Sequence, residues 1–276
     1  MKKILLFVLM GLSVASFGQK KEKIKGNREV LIKKFLLPDF NSVKIGEKFE
    51  VQLKKAQDTT KLIIETDDNL FDVIHFKVED HTLSFYTTME IVKKKRLRIT
   101  VFVPEHLQSV EVYEKGKVFT DEILSLNTLE IIGFDRGKTD LHLDIKKQVK
   151  INATNKTNIK LDITAPMAEV YLNEYASADI KASFPQLSLS MNDHSIFEGK
   201  GDAQNVSLEI NDRGQYKGDS FIIEKTSLIA KDKSKTYINT SKKLDLMAKG
   251  NANVYIYNQP KIDLKAFEDH AVLYKK

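Results

Sequence analysis

Residues 186–219 carry one pattern twice, and that doubling restricts the possible folds more than any other stretch of the chain. The first copy reads QLSLSMNDHSIFEGKGDAQ and the second NVSLEINDRGQYKGD. In each, apolar residues alternate (Leu187, Leu189, Met191, then Val206, Leu208, Ile210) and run into a tight polar corner. The corners are Asn192-Asp193-His194-Ser195 and Asn211-Asp212-Arg213-Gly214. An aromatic follows, Phe197 or Tyr216, and then a glycine, Gly199 or Gly218. A period of two, rich in β-branched residues, argues against helices and predicts short strands joined by turns.

The pattern extends in both directions. Its first alternating position recurs at Val110, Leu129, Val149, Ala168, Leu187, Val206, Ser227, Leu244 and Ile262, a step of roughly 19 residues. Two residues further on stand Val112, Ile131, Ile151, Val170, Leu189, Leu208, Ile229, Leu246 and Leu264. Corners keep step with them, as in Glu114-Lys115-Gly116, Asp135-Arg136-Gly137, Asn155-Lys156-Thr157, Glu174-Tyr175-Ala176, Asp232-Lys233-Ser234, Gly250-Asn251-Ala252 and Asp269-His270-Ala271. Asn, Asp, Gly and Ser suit such corners because they accept φ > 0 or bond their own backbone. One copy cannot close a core, since its apolar face is covered only by a neighbouring copy. Each rung then buries a few inward residues, at about 1.5–3 kcal/mol apiece before entropy. The fold class expected is all-β, a β-solenoid with rungs of roughly 19 residues over 109–276. A β-sandwich is the alternative, although it does not need such regular corners.

Upstream, residues 39–108 alternate with period two but break the repeat, and are expected to form irregular N-terminal strands that cap or begin the coil. Residues 70–74 read as a strand or a single helical turn, and Pro104 stops the strand before it. The basic, polar residues 19–38 read as a flexible lead-in. At the other end, the Asn258-Gln259-Pro260 break and the last rung are expected to form a cap, its edge charged by Lys275 and Lys276.

Lys2 and Lys3, the apolar run 4–12 and the small residues around Ser16-Phe17-Gly18 have the layout of a cleaved secretory signal over 1–18. The run is too short for a transmembrane helix, and none longer follows. The expected compartment is therefore the periplasm, or the cell surface or outer membrane. Cysteine is absent, which excludes a cysteine-borne lipid anchor, disulfides and thiol catalysis. The formal charge of +6 includes the two signal-peptide lysines, and lysines interleave with acids along the strands. No arginine–aromatic patch of the kind nucleic acid requires is present, so no nucleic-acid partner is expected.

Candidate chemistry is thin. The six histidines (75, 81, 106, 142, 194, 270) show no paired metal spacing. Asp193, Asp212, Asp232 and Asp269 would line one edge and suit a hard cation, but the glycine-rich calcium repeat is missing and turn chemistry explains them better. Asp67, Asp68 and Asp72 are the densest acidic group upstream and could work on a sugar as paired carboxylates, yet a turn is the simpler account. Gly199-Lys200-Gly201 is a weak phosphate-loop match between rungs. Tyr171, Tyr175, Tyr255 and Tyr257 form a candidate outward strip for stacking on glycans, with Tyr255 and Tyr257 on one face. No cofactor is implied.

Two sets of residues carry a family resemblance. The first is Phe40-Asn41-Ser42-Val43, Phe49-Glu50-Val51-Gln52-Leu53, Glu65-Thr66-Asp67-Asp68-Asn69-Leu70 and Val101-Phe102-Val103-Pro104; the second runs from Lys249-Gly250-Asn251 to Asn258-Gln259-Pro260. Together they resemble the putative autotransporter adhesin, head GIN domain family. The resemblance implies one GIN-type domain over 39–276, a right-handed β-helix, export and an adhesive role. It brings no catalytic residues. The family's corners are commonly Gly-Ser-Gly, whereas here most are Asn-Asp-x-Ser/Gly or charged variants. Three functions follow as expectations: a non-enzymatic binder of a carbohydrate or surface protein, a β-helix enzyme acting on polysaccharide, and a periplasmic structural or envelope-stress protein.

Overall fold

The computed structural model describes residues 21–276, so the expected secretory signal lies outside the described residues. Among these residues nearly all regular structure is strand, and no helix is long and apolar enough to cross a membrane. The chain winds as a β-solenoid in which each coil pairs in parallel with the next. A single inward column shows the register: Val43, Val110, Ile131, Ile151, Val170, Leu189, Leu208, Leu228, Leu246 and Leu264 stack coil on coil. All but the last are buried, because the strands of the coils alternate inward apolar with outward polar residues.

The expected register is corrected at two places. Val110 pairs with Ile131 rather than Leu129, a slip of two that keeps the same face inward. Val206 pairs with Thr226 rather than Ser227, a slip of one that exchanges faces. Thr226, Leu228 and Ala230 therefore point inward, while Ser227 and Ile229 point outward. The cause is a bulge at Gly218 and Asp219, opposite Gly199, which makes that coil one residue longer than the coil before it.

The repeat also starts earlier than Val110. Ser42–Ile45 and Glu50–Lys55 pair with Ser109–Val112 and Lys117–Phe119, and the corner between them has Glu47 at φ 51°. Val43-Lys44-Ile45 with Glu47-Lys48 repeats the spacing of Val110-Glu111-Val112 with Glu114-Lys115. A long insertion between this first coil and the second hides the match. That insertion is the N-terminal cap. Leu97–Val103 runs parallel to Glu50–Lys55, and Lys61–Asp67 packs antiparallel against it. Thr82–Thr87 covers Ser42–Ile45, with Phe85 tilted against Phe49 at 5.8 Å. Between these strands, residues 68–70 form a single 3-10 turn and Ile74–Glu79 is a strand.

Of the expected flexible lead-in over 19–38, the described residues 21–38 are instead largely strand. Val30–Leu36 pairs antiparallel with Lys61–Asp67, and Lys23–Lys25 pairs with Glu90–Lys93. Its lysines are exposed, which conceals an edge strand inside a basic sequence. At the far end, Lys261–Phe267 and Val272–Lys275 stack on the coil before them. Leu264 and Phe267 continue the inward columns but stay exposed, since no later coil covers them among the described residues.

The aromatic-x-glycine step of the doubled motif has a packing reason. Phe197 and Tyr216 stack inside the solenoid with ring centroids 5.4 Å apart and planes 7° from parallel. Gly199 and Gly218 stand two residues on, on the same inward face, where a Cβ would meet the ring of Phe197 or Tyr216 at 2.8 or 2.3 Å.

Candidate functional site

The corners form the most regular surface of the molecule. Their second residue has positive φ throughout: Glu114, Asp135, Asn155, Glu174, Asp193, Asp212, Asp232, Gly250 and Asp269. Asx residues tolerate this backbone, which costs other side chains about 1–2 kcal/mol. The acidic side chains have a second task. Asp212 Oδ2 accepts the N–H of Asp193 at 3.3 Å, and Asp232 Oδ2 that of Asp212 at 3.4 Å. Asp269 Oδ2 likewise accepts the Gly250 N–H at 3.1 Å. Each carboxylate thus satisfies the preceding coil's corner. Beside it an amide ladder runs from Asn211 to Asn192 at 2.9 Å and from Asn192 to Asn173 at 2.7 Å.

This geometry supports turn chemistry over a calcium ladder for the corner aspartates. No group of three or more potential metal ligands occurs among the described residues. Asp212→Ala is expected to cost about 1–2 kcal/mol and Asp212→Gly less, because glycine keeps the positive φ while both lose the carboxylate. Denaturant melts of the three proteins, with calcium and with chelator, check this. A calcium-dependent midpoint in wild type would refute the turn account.

The third corner position is mostly basic, with Lys115, Arg136, Lys156, Arg213 and Lys233 in line. Tyr175 and His194 stand in the same line, their rings stacked at 5.0 Å, and Arg213 Nη1 lies 3.1 Å from His194 Nε2. His194 is therefore held in a surface ladder rather than beside a nucleophile.

Asp67 and Asp68 do not form a catalytic pair. Asp67 is fully buried and accepts the backbone N–H groups of Lys95, Arg96 and Arg28 at 3.0–3.1 Å. Burial alone would raise its pKa, but these three donors outweigh it and hold the carboxyl below its ordinary range. Asp68 opens the 3-10 turn. Gly199-Lys200-Gly201 is not a phosphate loop: Gly199 clears space for Phe197, and Gly201 makes a bend at φ 114° against the Ala182 carbonyl.

The four tyrosines are divided between surfaces. Tyr171 lies on the strand before the corner and Tyr175 at the corner of the same coil, both exposed. Tyr255 and Tyr257 lie several coils away on the strand after the corner. Tyr255 is sandwiched between Tyr237 and Tyr274 at 4.5 Å on each side, so neither ring face is open to a sugar.

A feature with no motif of its own lies on the outward face that carries Tyr171. Ser188, Ser207 and Ser227 fall in one line across three coils, with Glu169 before them and Asp245 after. Along one side run Met167, Gln186, Asn205, Lys225 and Lys243. Small serines between longer side chains leave a depression of 610 Å³ along the solenoid axis. The serine in each of these rungs is plain in the sequence; that the three align depends on the bulge that turns Ser227 outward.

Glu169 and Asp245 are four coils apart, roughly 19 Å at the usual strand spacing. Carboxylates that cleave glycosides stand about 5–10 Å apart. Asp245 and Asp263 are neighbours in register, but Lys243 pairs with Asp245 at 2.8 Å and Lys265 with Asp263 at 2.5 Å. Lys265 also holds Asp263 below the ordinary carboxylate range, so it offers no proton near neutrality.

The model of the family described as putative auto-transporter adhesin, head GIN domain, matches residues 39–260. The chain belongs to that family. Similar solved structures include a putative adhesin from Parabacteroides distasonis, 12% identical with a TM-score of 0.66, covering 92% of this chain and 100% of that one. A putative adhesin from Parabacteroides merdae is 14% identical with a TM-score of 0.62, covering 92% and 99%. A third, from Parabacteroides distasonis, is described as a putative lipid binding protein; it is 15% identical, has a TM-score of 0.60 and covers 92% and 100%. At these identities the likeness shows the fold. No curated protein matches the chain. Within this GIN domain, the Asn-Asp corners hold the positive φ of the turn and add the carboxylate ladder.

Proposed function

We propose that this GIN-domain protein is an exported, non-enzymatic binding protein of the cell envelope that holds a linear carbohydrate in the serine-floored depression. The observation that carries the reading is the alignment of Ser188, Ser207 and Ser227 along the axis of the stack. Hydroxyls recurring at the strand spacing, flanked by amides, amines and carboxylates, suit the repeated hydroxyls of a polymer. Tyr171 offers an exposed ring beside them. The wide separation of Glu169 and Asp245, and the lysine-paired state of Asp263, argue against hydrolysis.

The test is a glycan array probed with the purified mature protein, followed by product analysis. Ser207→Trp should fill the floor and reduce binding at least ~10-fold, the worth of about 1.4 kcal/mol, without lowering the melting temperature. Tyr171→Ala should weaken it several-fold. New reducing ends or unsaturated sugars would make the protein an enzyme. Glycan binding indifferent to Ser207→Trp would move the site elsewhere, and a surface-protein ligand would replace the carbohydrate if only proteins are captured. Accessibility of the protein to protease on intact cells distinguishes a surface position from a periplasmic one.

A further inference from the structure

Where the N-terminal cap meets the corner stripe, the structure forms an open cavity of 580 Å³, within the usual range for small-molecule sites. Phe49 from the first corner, with Ile91 and Leu97 from the cap, gives it an apolar lining. Five cationic side chains and four carboxylates also face it. The carboxylates are already engaged. Glu47 takes Lys21 at 2.7 Å and the Thr87 hydroxyl at 2.6 Å, and Glu90 takes Lys48 at 3.4 Å. Glu114 accepts the Glu47 N–H at 2.7 Å, and Asp135 accepts the Glu114 N–H at 3.3 Å.

Lys94, Lys115 and Arg136 are left without an ion-pair partner among the described residues. Lys94 reaches solvent, yet the walls crowd its amine: desolvation lowers its pKa, Glu50 pulls it back and nearby Lys48 lowers it further. An amine in this position gains more from a counter-charge than one in open water. The apolar lining gives no contact to a bare inorganic ion, and the bound carboxylates oppose a long polyanion.

We infer that this cavity binds an amphiphilic anion, a single carboxylate or phosphate head on an apolar chain. Lys94, Lys115 and Arg136 meet the head group, and Phe49, Ile91 and Leu97 cover the start of the chain. The site lies on the first corners of the solenoid, away from the serine floor, and does not depend on the carbohydrate reading.

Titration calorimetry on the mature protein tests it, with dodecanoate and dodecyl phosphate below their micelle concentrations. Dodecyl maltoside and inorganic phosphate are the controls. One anionic amphiphile, or both, should bind with one-to-one stoichiometry, and the tighter of the two identifies the head group. Lys94→Ala should weaken binding at least ~10-fold, the effect of losing one charge-assisted contact. Lys94→Arg should retain it, and Ile91→Asp should weaken it while leaving the melting temperature in place. Wild-type binding should fall as pH rises through the lowered Lys94 pKa, whereas Lys94→Arg should not follow. Ser207→Trp should leave the isotherm unchanged. Equal binding of dodecyl maltoside, equal binding of inorganic phosphate, indifference to Lys94→Ala, or no binding by either amphiphile would each overturn the inference.

Discussion

Asp67→Ala is expected to lose about 3 kcal/mol of stability at neutral pH, a large share of a typical domain's total. The carboxylate joins two separate pieces of backbone, one at Arg28 and one at the adjacent Lys95 and Arg96. Its removal strands three donors, each worth about 1–3 kcal/mol when buried. The lower end of the sum applies because the three donors belong to exposed residues, Arg28, Lys95 and Arg96, which water can reach once the carboxylate is gone, although the carboxylate itself has a full cover of protein. Part of that cover is Gly26, where a Cβ would stand 2.0 Å from Asp67 Oδ2. The folded pKa lies below the ordinary 3.8. Stability from the charged form is therefore fully present above that value and is lost as pH falls through the folded pKa. Urea melts of wild type and Asp67→Asn should differ most at pH 7 and converge in acid. A difference independent of pH would mean that packing, and not the carboxylate charge, holds the cap.

Gly218→Ala is expected to cost about 2–3 kcal/mol, the scale of overpacking a core. Alanine is intrinsically better than glycine in a strand, by roughly 0.5–1 kcal/mol. Any loss therefore comes from the contact, a Cβ 2.3 Å from the Tyr216 ring. Tyr216→Ala alone should cost about 3–5 kcal/mol, since the ring is fully buried against Phe197. The double variant tests the assignment. With the ring gone, the added methyl occupies part of the space left behind, so the combined loss should fall short of the sum by at least about 1 kcal/mol. Additive losses would mean that Gly218 serves some purpose other than clearing space for the ring.

The two residues illustrate different degrees of legibility. The aromatic-x-glycine step is visible twice in the sequence, because both residues point inward with period two and repeat from coil to coil. Asp67 looks like one of two adjacent acids in a turn, because its three partners come from loops far away in sequence. The same distinction runs through the candidate site. Corner chemistry is local, so Asp193, Asp212 and Asp232 are readable as turn residues from their immediate neighbours in the chain. The serine floor and the Lys94 cavity depend on which residues of different coils meet, and one bulged residue decides that for the serines.

What the sequence determined by itself is the β-solenoid and the corners on which it turns. A period of two broken by Asx and glycine every rung leaves the chain few other ways to bury its apolar face. The tertiary structure alone decided where the repeat begins and which serines align. It also decided that a basic segment becomes an edge strand and which cations gather with Phe49, Ile91 and Leu97 around the cavity under the cap. The physical reason is register: within a strand it follows from alternation, but between coils it is set by bulges, insertions and buried hydrogen bonds whose partners lie far apart along the chain.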